Sequence, residues 1–437
     1  MVGGSSGSKQ FLIRAILCAS LGQGCIQDPP HPPVVPQPED PQYIIWDADS
    51  YAGDGVVRVF WDATPLYEPF SPLPISYPRT VHVEVSTQGV SVGYRLVWSS
   101  TTIGPDSVDV PDLGNGVRHW IRILSYDAAD HLVGASRVLE TIPGPAMAPV
   151  AVIPAFQRHF LWRDLAWSPR GDKLIFAKAP GCVRENLYCY DVATAEVTPV
   201  TDFGADEQRL SHAGWSPDGS RLAFDYTGMS TNYYLDYRIW ILPVLADQPQ
   251  SVSSGRFDGH PAWVTNESLV FIRYTDSPRA PEIQRLVLDT EPRITPLTED
   301  GRIWKQDLAV SPDGTTIVFS GIVFEDDSTP ARVLYTLATR GGTSTTLTAP
   351  GWWDDVHPAW YPDGRKIFFA SARSGHFEIW SLDLQSEQVR QITRSQRRGE
   401  ERYDPAPGPD GHYLAVTAFR GSASSTVEIV DILSSAH

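Results

Sequence analysis

Six side chains able to exchange a proton or carry negative charge recur along the chain at nearly equal intervals. They are Asp164, His212, His260, Asp307, His357 and Asp404, separated by 48, 48, 47, 50 and 47 residues. Imidazole and carboxylate are acid–base groups, and both are ligands for divalent ions. Three histidines and three carboxylates gathered by a repeat can hold a divalent metal. If each instead bonds to the backbone of an adjoining repeat, the same residues serve geometry alone. No catalytic framework accompanies them. There is no His-Glu-x-x-His, no phosphate-cradling glycine loop and no hydrolase-like α/β region to carry a nucleophile elbow. No residue is assigned to catalysis.

Something must position these side chains, and the sequence three residues on shows what. Residues 213–224 read AGWSPDGSRLAF, with close copies at 165–176, 308–319 and 358–369 and weaker ones at 261–271 and 405–416. The slot occupied by Trp215 holds Trp167, Trp263, Val310, Trp360 and Pro407 in the other copies. A fixed period of this length marks a repeat architecture. The Ser-Pro-Asp-Gly turn has a mechanism: Pro presets φ, Asp suits the third position and Gly ends the turn. In the fifth copy, KIFFA, EIWSL and VRQIT follow as three further strands. Four short strands per unit, joined by tight turns, is the pattern of a propeller blade. The slot Trp and the Phe of the outgoing strand are expected to pack between blades. The sixth copy runs out before a fourth strand. Residues 148–156 (APVAVIPAF) are expected to supply it and close the ring.

Ala-Trp-Ser-Pro-Asp-Gly before an apolar strand, repeated six times, resembles the TolB-type six-bladed β-propeller over residues 149–437. Arg170 replaces Asp in the first turn, and the third (Val264-Thr265-Asn266-Glu267) departs from the motif. The resemblance implies that the first strand of each blade lines a central channel. The six acidic and histidine residues would then ring one mouth of it. Phe257, Trp304, Trp352, Trp353 and Tyr403 precede the same strands, with Arg209, Lys305, Asp354, Asp355 and Arg402 beside them. They are expected to form an amphipathic rim for a peptide or protein partner, or else the core between blades.

Upstream, residues 43–142 alternate short apolar runs with Gly, Pro, Asp and Asn, which is the grammar of a β-sandwich. Leu113-Gly114-Asn115-Gly116 before an aromatic-led strand, together with Trp61, resembles a fibronectin type III domain. A spacer or adhesion role is expected for it. The fold class is therefore all-β: a sandwich, a linker at 143–148, and a propeller. Residues 26–42 are a Pro-dense linker expected to be extended.

Residues 1–25 have the charged, apolar, small-residue order of an export signal. They resemble a bacterial lipoprotein signal ending at Cys25, which would be lipidated. In an oxidising compartment Cys182 and Cys189 are expected to form a disulfide. Of the 437 residues, 42% are hydrophobic and 14 are Trp, with a formal net charge of −17. Such acidity disfavours nucleic acid and anionic membrane surfaces as partners. The expected function is an exported, lipid-anchored scaffold binding a protein or peptide in the cell envelope. The alternative is a metal-assisted lyase or hydrolase acting on carbohydrate, since some sugar lyases resemble this propeller and use channel histidines.

Overall fold

The computed structural model of the chain describes residues 47–62, 80–101, 107–146, 148–153, 160–180, 186–203, 210–227, 237–244, 246, 248–255, 257–274, 280–323, 331–395, 398–420 and 425–433. Residues 1–46, which hold the expected signal, the Pro-dense linker and Cys25, lie outside them. The fold is all-β. Beyond residue 148 the strands form six four-stranded antiparallel sheets. Their first strands are Phe160–Trp167, Leu210–Trp215, Asp258–Thr265, Ile303–Val310, Asp355–Trp360 and Glu400–Pro407. Each first strand touches the next, and the last touches the first. The six sheets are thus the blades of a closed propeller. In blade six the outer strand is Pro149–Ile153, paired antiparallel to Ser425–Asp431 through Ile153 with Val427 and Val152 with Glu428. The start of the propeller closes its end, as the short sixth repeat requires.

The turn residues act as their chemistry predicts. In blade two Gly219 N–H donates to Ser216 O at 2.8 Å, and Gly219 has φ of 71°. The Asp218 carboxylate accepts from Ser216 Oγ at 2.7 Å and from the Ser220 N–H at 2.9 Å. Blade four repeats this with Ser311, Asp313 and Thr315. A hydroxyl closes the far side of each of five blades. Thr201, Ser253, Thr298, Thr348 and Thr393 each accept the N–H that opens the third strand.

The slot residues join blades. Trp215 Nε1 donates to Ala166 O of blade one at 3.2 Å, Trp263 Nε1 to Gly214 O of blade two, and Trp360 Nε1 to Ala309 O of blade four. Trp167 Nε1 reaches Ala406 O of blade six at 2.9 Å, across the closure. Phe176, Phe224, Phe271, Phe319 and Phe369 on the outgoing strands are fully buried. Val310 and Pro407 cannot donate such a bond. At the fifth joint Tyr361 OH donates to Gly411 O instead. A Trp215→Phe change keeps most of the apolar ring but deletes one interblade bond. It should cost about 1 kcal/mol, read as a lower urea midpoint with an unchanged slope.

The upstream residues form two sheets. Asp47–Ala52, Val57–Asp62 and Ser107–Val110 make one; Thr80–Ser86, Arg95–Ser100, His119–Tyr126, Leu132–Ala135 and Leu139–Thr141 make the other. They share a core built on Trp61, Val83, Ile121 and Ile123. This unit is not a free spacer; it is docked on the propeller. Trp352 packs against its core, and Trp352 Nε1 donates to Val138 O at 2.8 Å. Tyr51 stacks on His376 with ring centroids 4.1 Å apart. Glu140 N–H donates to Arg373 O, and Arg394 Nε donates to Ile142 O.

Cys189 requires a correction. Its thiol is free and buried, so it does not form the expected bridge to Cys182, which lies outside the described residues. The register explains this. Cys189 pairs with Ile175 in mid-strand and enters the cluster of Ile175, Leu187, Leu222 and Phe224 between blades one and two. Burial pushes the thiol up from its ordinary range.

Candidate functional site

Each inner strand carries one extra residue at the same place. The pairing register slips between Arg163 and Ala166, Ser211 and Gly214, Gly259 and Ala262, Gln306 and Ala309, Val356 and Ala359, and Tyr403 and Ala406. The first residue inside each slip is one of the six repeated acidic or histidine positions. All six are left-handed, with φ between 46° and 60°. Glycine ordinarily takes that conformation in a β-bulge, and a residue with a Cβ holds it at a cost on the order of 1 kcal/mol. The bulges re-aim these side chains toward one another around the channel.

The six then form a continuous chain of contacts. Asp164 Oδ1 lies 3.8 Å from His212 Nε2. The rings of His212 and His260 are 3.5 Å apart. His260 Nδ1 lies 3.8 Å from Asp307 Oδ1, and Asp307 Oδ2 lies 3.9 Å from His357 Nε2. His357 Nδ1 lies 2.7 Å from Asp404 Oδ1. Of the six, only His212, His260 and Asp307 bring one donor atom each within 4.8 Å of one another. The six residues thus form an arc whose members divide into a triad, the His357–Asp404 pair, and Asp164 against His212.

Two partners were not read from the sequence. Asp225 accepts a hydrogen bond from His212 Nδ1 at 2.6 Å and another from the His260 backbone N–H at 2.9 Å. Ser320 Oγ donates to Asp307 Oδ2 at 2.9 Å. Both stand ten residues after their blade's slot residue, on the second strand. That shared offset was the available signal.

Electrostatics differentiate the histidines. Burial disfavours the charged form of His212, but Asp225 and Asp164 outweigh it and push its pKa to about 10. Burial likewise opposes the His357 cation, and Asp404 and Asp307 prevail, raising it to about 9. His260 goes the other way, to about 3, through burial and the neighbouring His212 cation. Asp307 is held at about 2: burial raises it, but His357 and His260 more than offset this. Burial pushes the Asp164 carboxyl up despite His212. At neutral pH His212 and His357 are thus cationic and Asp307 anionic, with a neutral His260 among them.

The expected aromatic rim is not formed. Trp304 is buried beside Tyr274 between blades three and four. Tyr403 packs on Phe377 and Phe419. Trp352 faces the sandwich, and Trp353 lies against the Arg373 guanidinium. Lys305 and Arg402 are inward too. Fully buried Lys305 meets Asp300 at 2.8 Å and Glu282 at 3.1 Å. Arg402 meets Glu428 at 3.1 Å and Glu378 at 3.7 Å. Large amphipathic side chains at a strand entry serve an interblade core as well as a rim; here the adjoining blades claim Trp304 and Tyr403, the sandwich claims Trp352, and Arg373 covers Trp353.

No family model matches the chain. An uncharacterized protein of Agrobacterium fabrum is 28% identical over 120 residues, which is 27% of this chain and 37% of that protein. The match thus spans little more than a third of the relative's length. Among solved structures, a presumptive TolB from Agrobacterium tumefaciens is 16% identical at a TM-score of 0.47, covering 80% of this chain and 99% of that one. TolB from Acinetobacter baumannii is 15% identical at 0.45, covering 71% and 76%. The β-propeller domain of the Trilobed protease from Pyrococcus furiosus is 10% identical at 0.43, covering 88% and 96%.

Proposed function

We propose that the chain is an exported binding scaffold that holds a protein or peptide partner in the cell envelope at the channel mouth. The observation that carries this reading is the sixfold left-handed bulge. Six strained backbones, each presenting a charged or proton-exchanging side chain to one channel, cost stability without adding to the core. Strain kept in this way concentrates at functional sites. Charge of both signs suits a polar partner segment. The sandwich contacts loops of one sector, at Trp352, Gly375, Arg394 and Gly399, and so flanks the mouth with a second surface. Export rests on the N-terminal sequence pattern, and the acidity of the chain argues against nucleic acid as the partner.

The test is site-specific photo-crosslinking in the native host. A photoreactive residue replacing His357 should trap one envelope protein reproducibly. The same residue at His412, on the turn at the other end of blade six's inner strand, should not. Capture of the same proteins from both positions, or of none from His357, would end the reading.

A further inference from the structure

We propose that His212, His260 and Asp307 form a binding site for one divalent first-row transition ion, the size and softness of Zn²⁺. The inference goes beyond the scaffold reading and does not depend on it. Three consecutive blades contribute one ligand each, all from the left-handed bulge position. Their donor atoms already lie within 4.8 Å of one another. Donors on a tetrahedral zinc stand about 3.4 Å apart, so the site needs to close by roughly 1 Å.

The surroundings point the same way. His260 is 4% exposed, and its Nδ1 makes no hydrogen bond, although it lies 3.8 Å from Asp307 Oδ1. A buried nitrogen without a hydrogen-bond partner is costly unless something binds it. The outer contacts have the form that orients metal ligands. The Asp225 carboxylate accepts a hydrogen bond from His212 Nδ1, so Nε2 is the nitrogen left to an ion, which takes the place of its proton. Ser320 donates to Asp307 Oδ2 and leaves Oδ1 toward His260. Such carboxylate–histidine and hydroxyl–carboxylate pairs orient the ligands before the ion arrives. Two imidazoles and one carboxylate suit zinc or its first-row neighbours rather than calcium or magnesium. Asp225, held below the usual carboxylate range by His212, adds negative charge beside the pair of rings. With three protein ligands, at least one coordination position is left for water or for a ligand in the channel.

The experiment is calorimetric titration of Zn²⁺ into the tag-free full-length chain after chelator treatment. One equivalent should bind. Asp307→Asn and His260→Ala should each weaken the affinity at least 10-fold, while His412→Ala should match the wild type. X-ray absorption on the zinc-loaded wild type needs no variant, and should show two imidazole scatterers with oxygen donors and no sulfur. The proposal is overturned by the absence of saturable heat, by unchanged affinity in both ring variants, or by a sulfur-containing zinc shell, which would place the ion at cysteine.

Discussion

Replacing residues 149–153 with a Gly-Ser linker of equal length should lower stability by about 5 kcal/mol. The strand Pro149–Ile153 closes the ring. It places Ile153, 2% exposed, in a cluster with Leu174 and Phe176 of blade one and with Val427 and Ile429 of blade six. Full burial of an isoleucine side chain contributes about 1.5–3 kcal/mol. The ladder to residues 427–430 adds a few hydrogen bonds, at about 1 kcal/mol each. Against a typical total of about 5–15 kcal/mol, the loss is a large share. It also bares the edge of Ser425–Asp431, an invitation to pair with another chain. The expected results are a lower urea midpoint and concentration-dependent oligomers on size exclusion. An unchanged midpoint would show that the first and last blades hold together without the strand. Ile153→Ala separates packing from pairing, since it removes the side chain but keeps the ladder; about 3 kcal/mol should be lost.

What could be read from the sequence divides along physical lines. The Ser-Pro-Asp-Gly turns and slot Trp residues are local, so blade count and turn geometry followed from spacing, and closure by Pro149–Ile153 from the short sixth repeat. The ring positions followed too, because each sits three residues before a slot. Their backbone state did not. A bulge usually announces itself with glycine, and here Asp or His occupies that place, so the signal was hidden. Which members of the ring meet depends on how neighbouring blades are turned, and so do the roles of Asp225 and Ser320. The aromatic residues failed as a rim for a related reason. Composition tells that Trp304 and Tyr403 need a large apolar partner, but not whether the next blade or a ligand provides it. Asp258, Lys305, Asp355 and Arg402 all stand five residues before a slot, and each is paired in the structure. Lys305, Asp355 and Arg402 were expected at a rim, yet with Asp258 they are largely buried polar ties at the start of the inner strands.

The docked sandwich was the least legible feature, and Arg373 is where it can be tested. Its guanidinium donates twice from Nη2 to Asp355, at 2.9 and 3.1 Å, and from Nε to Ser371 Oγ at 2.9 Å. Glu140 of the sandwich stands 3.9 Å from Nη1, and Trp380 lies beneath the guanidinium carbon at 5.0 Å. Asp355 is fully buried, while Arg373 and Glu140 are each 5% exposed. Arg373→Met keeps most of the volume and stem packing but leaves a buried carboxylate with no counterion. Breaking a buried pair in this way costs about 3–5 kcal/mol. The cost should show as a lower melting temperature and as faster protease cleavage within 143–148, because the contact between the two units loosens. Arg373→Lys should recover only part, since one ammonium replaces the Nη2 contact to Asp355 but not the Nε bond to Ser371 Oγ. Adding Asp355→Asn to Arg373→Met removes the stranded charge and should restore a large fraction of the loss, a coupling that a double-mutant cycle measures directly. If Arg373→Met costs less than about 1 kcal/mol and protease resistance is unchanged, the charge network does not hold the sandwich to the propeller, and its apolar contacts at Trp352 and Tyr51 must carry the joint.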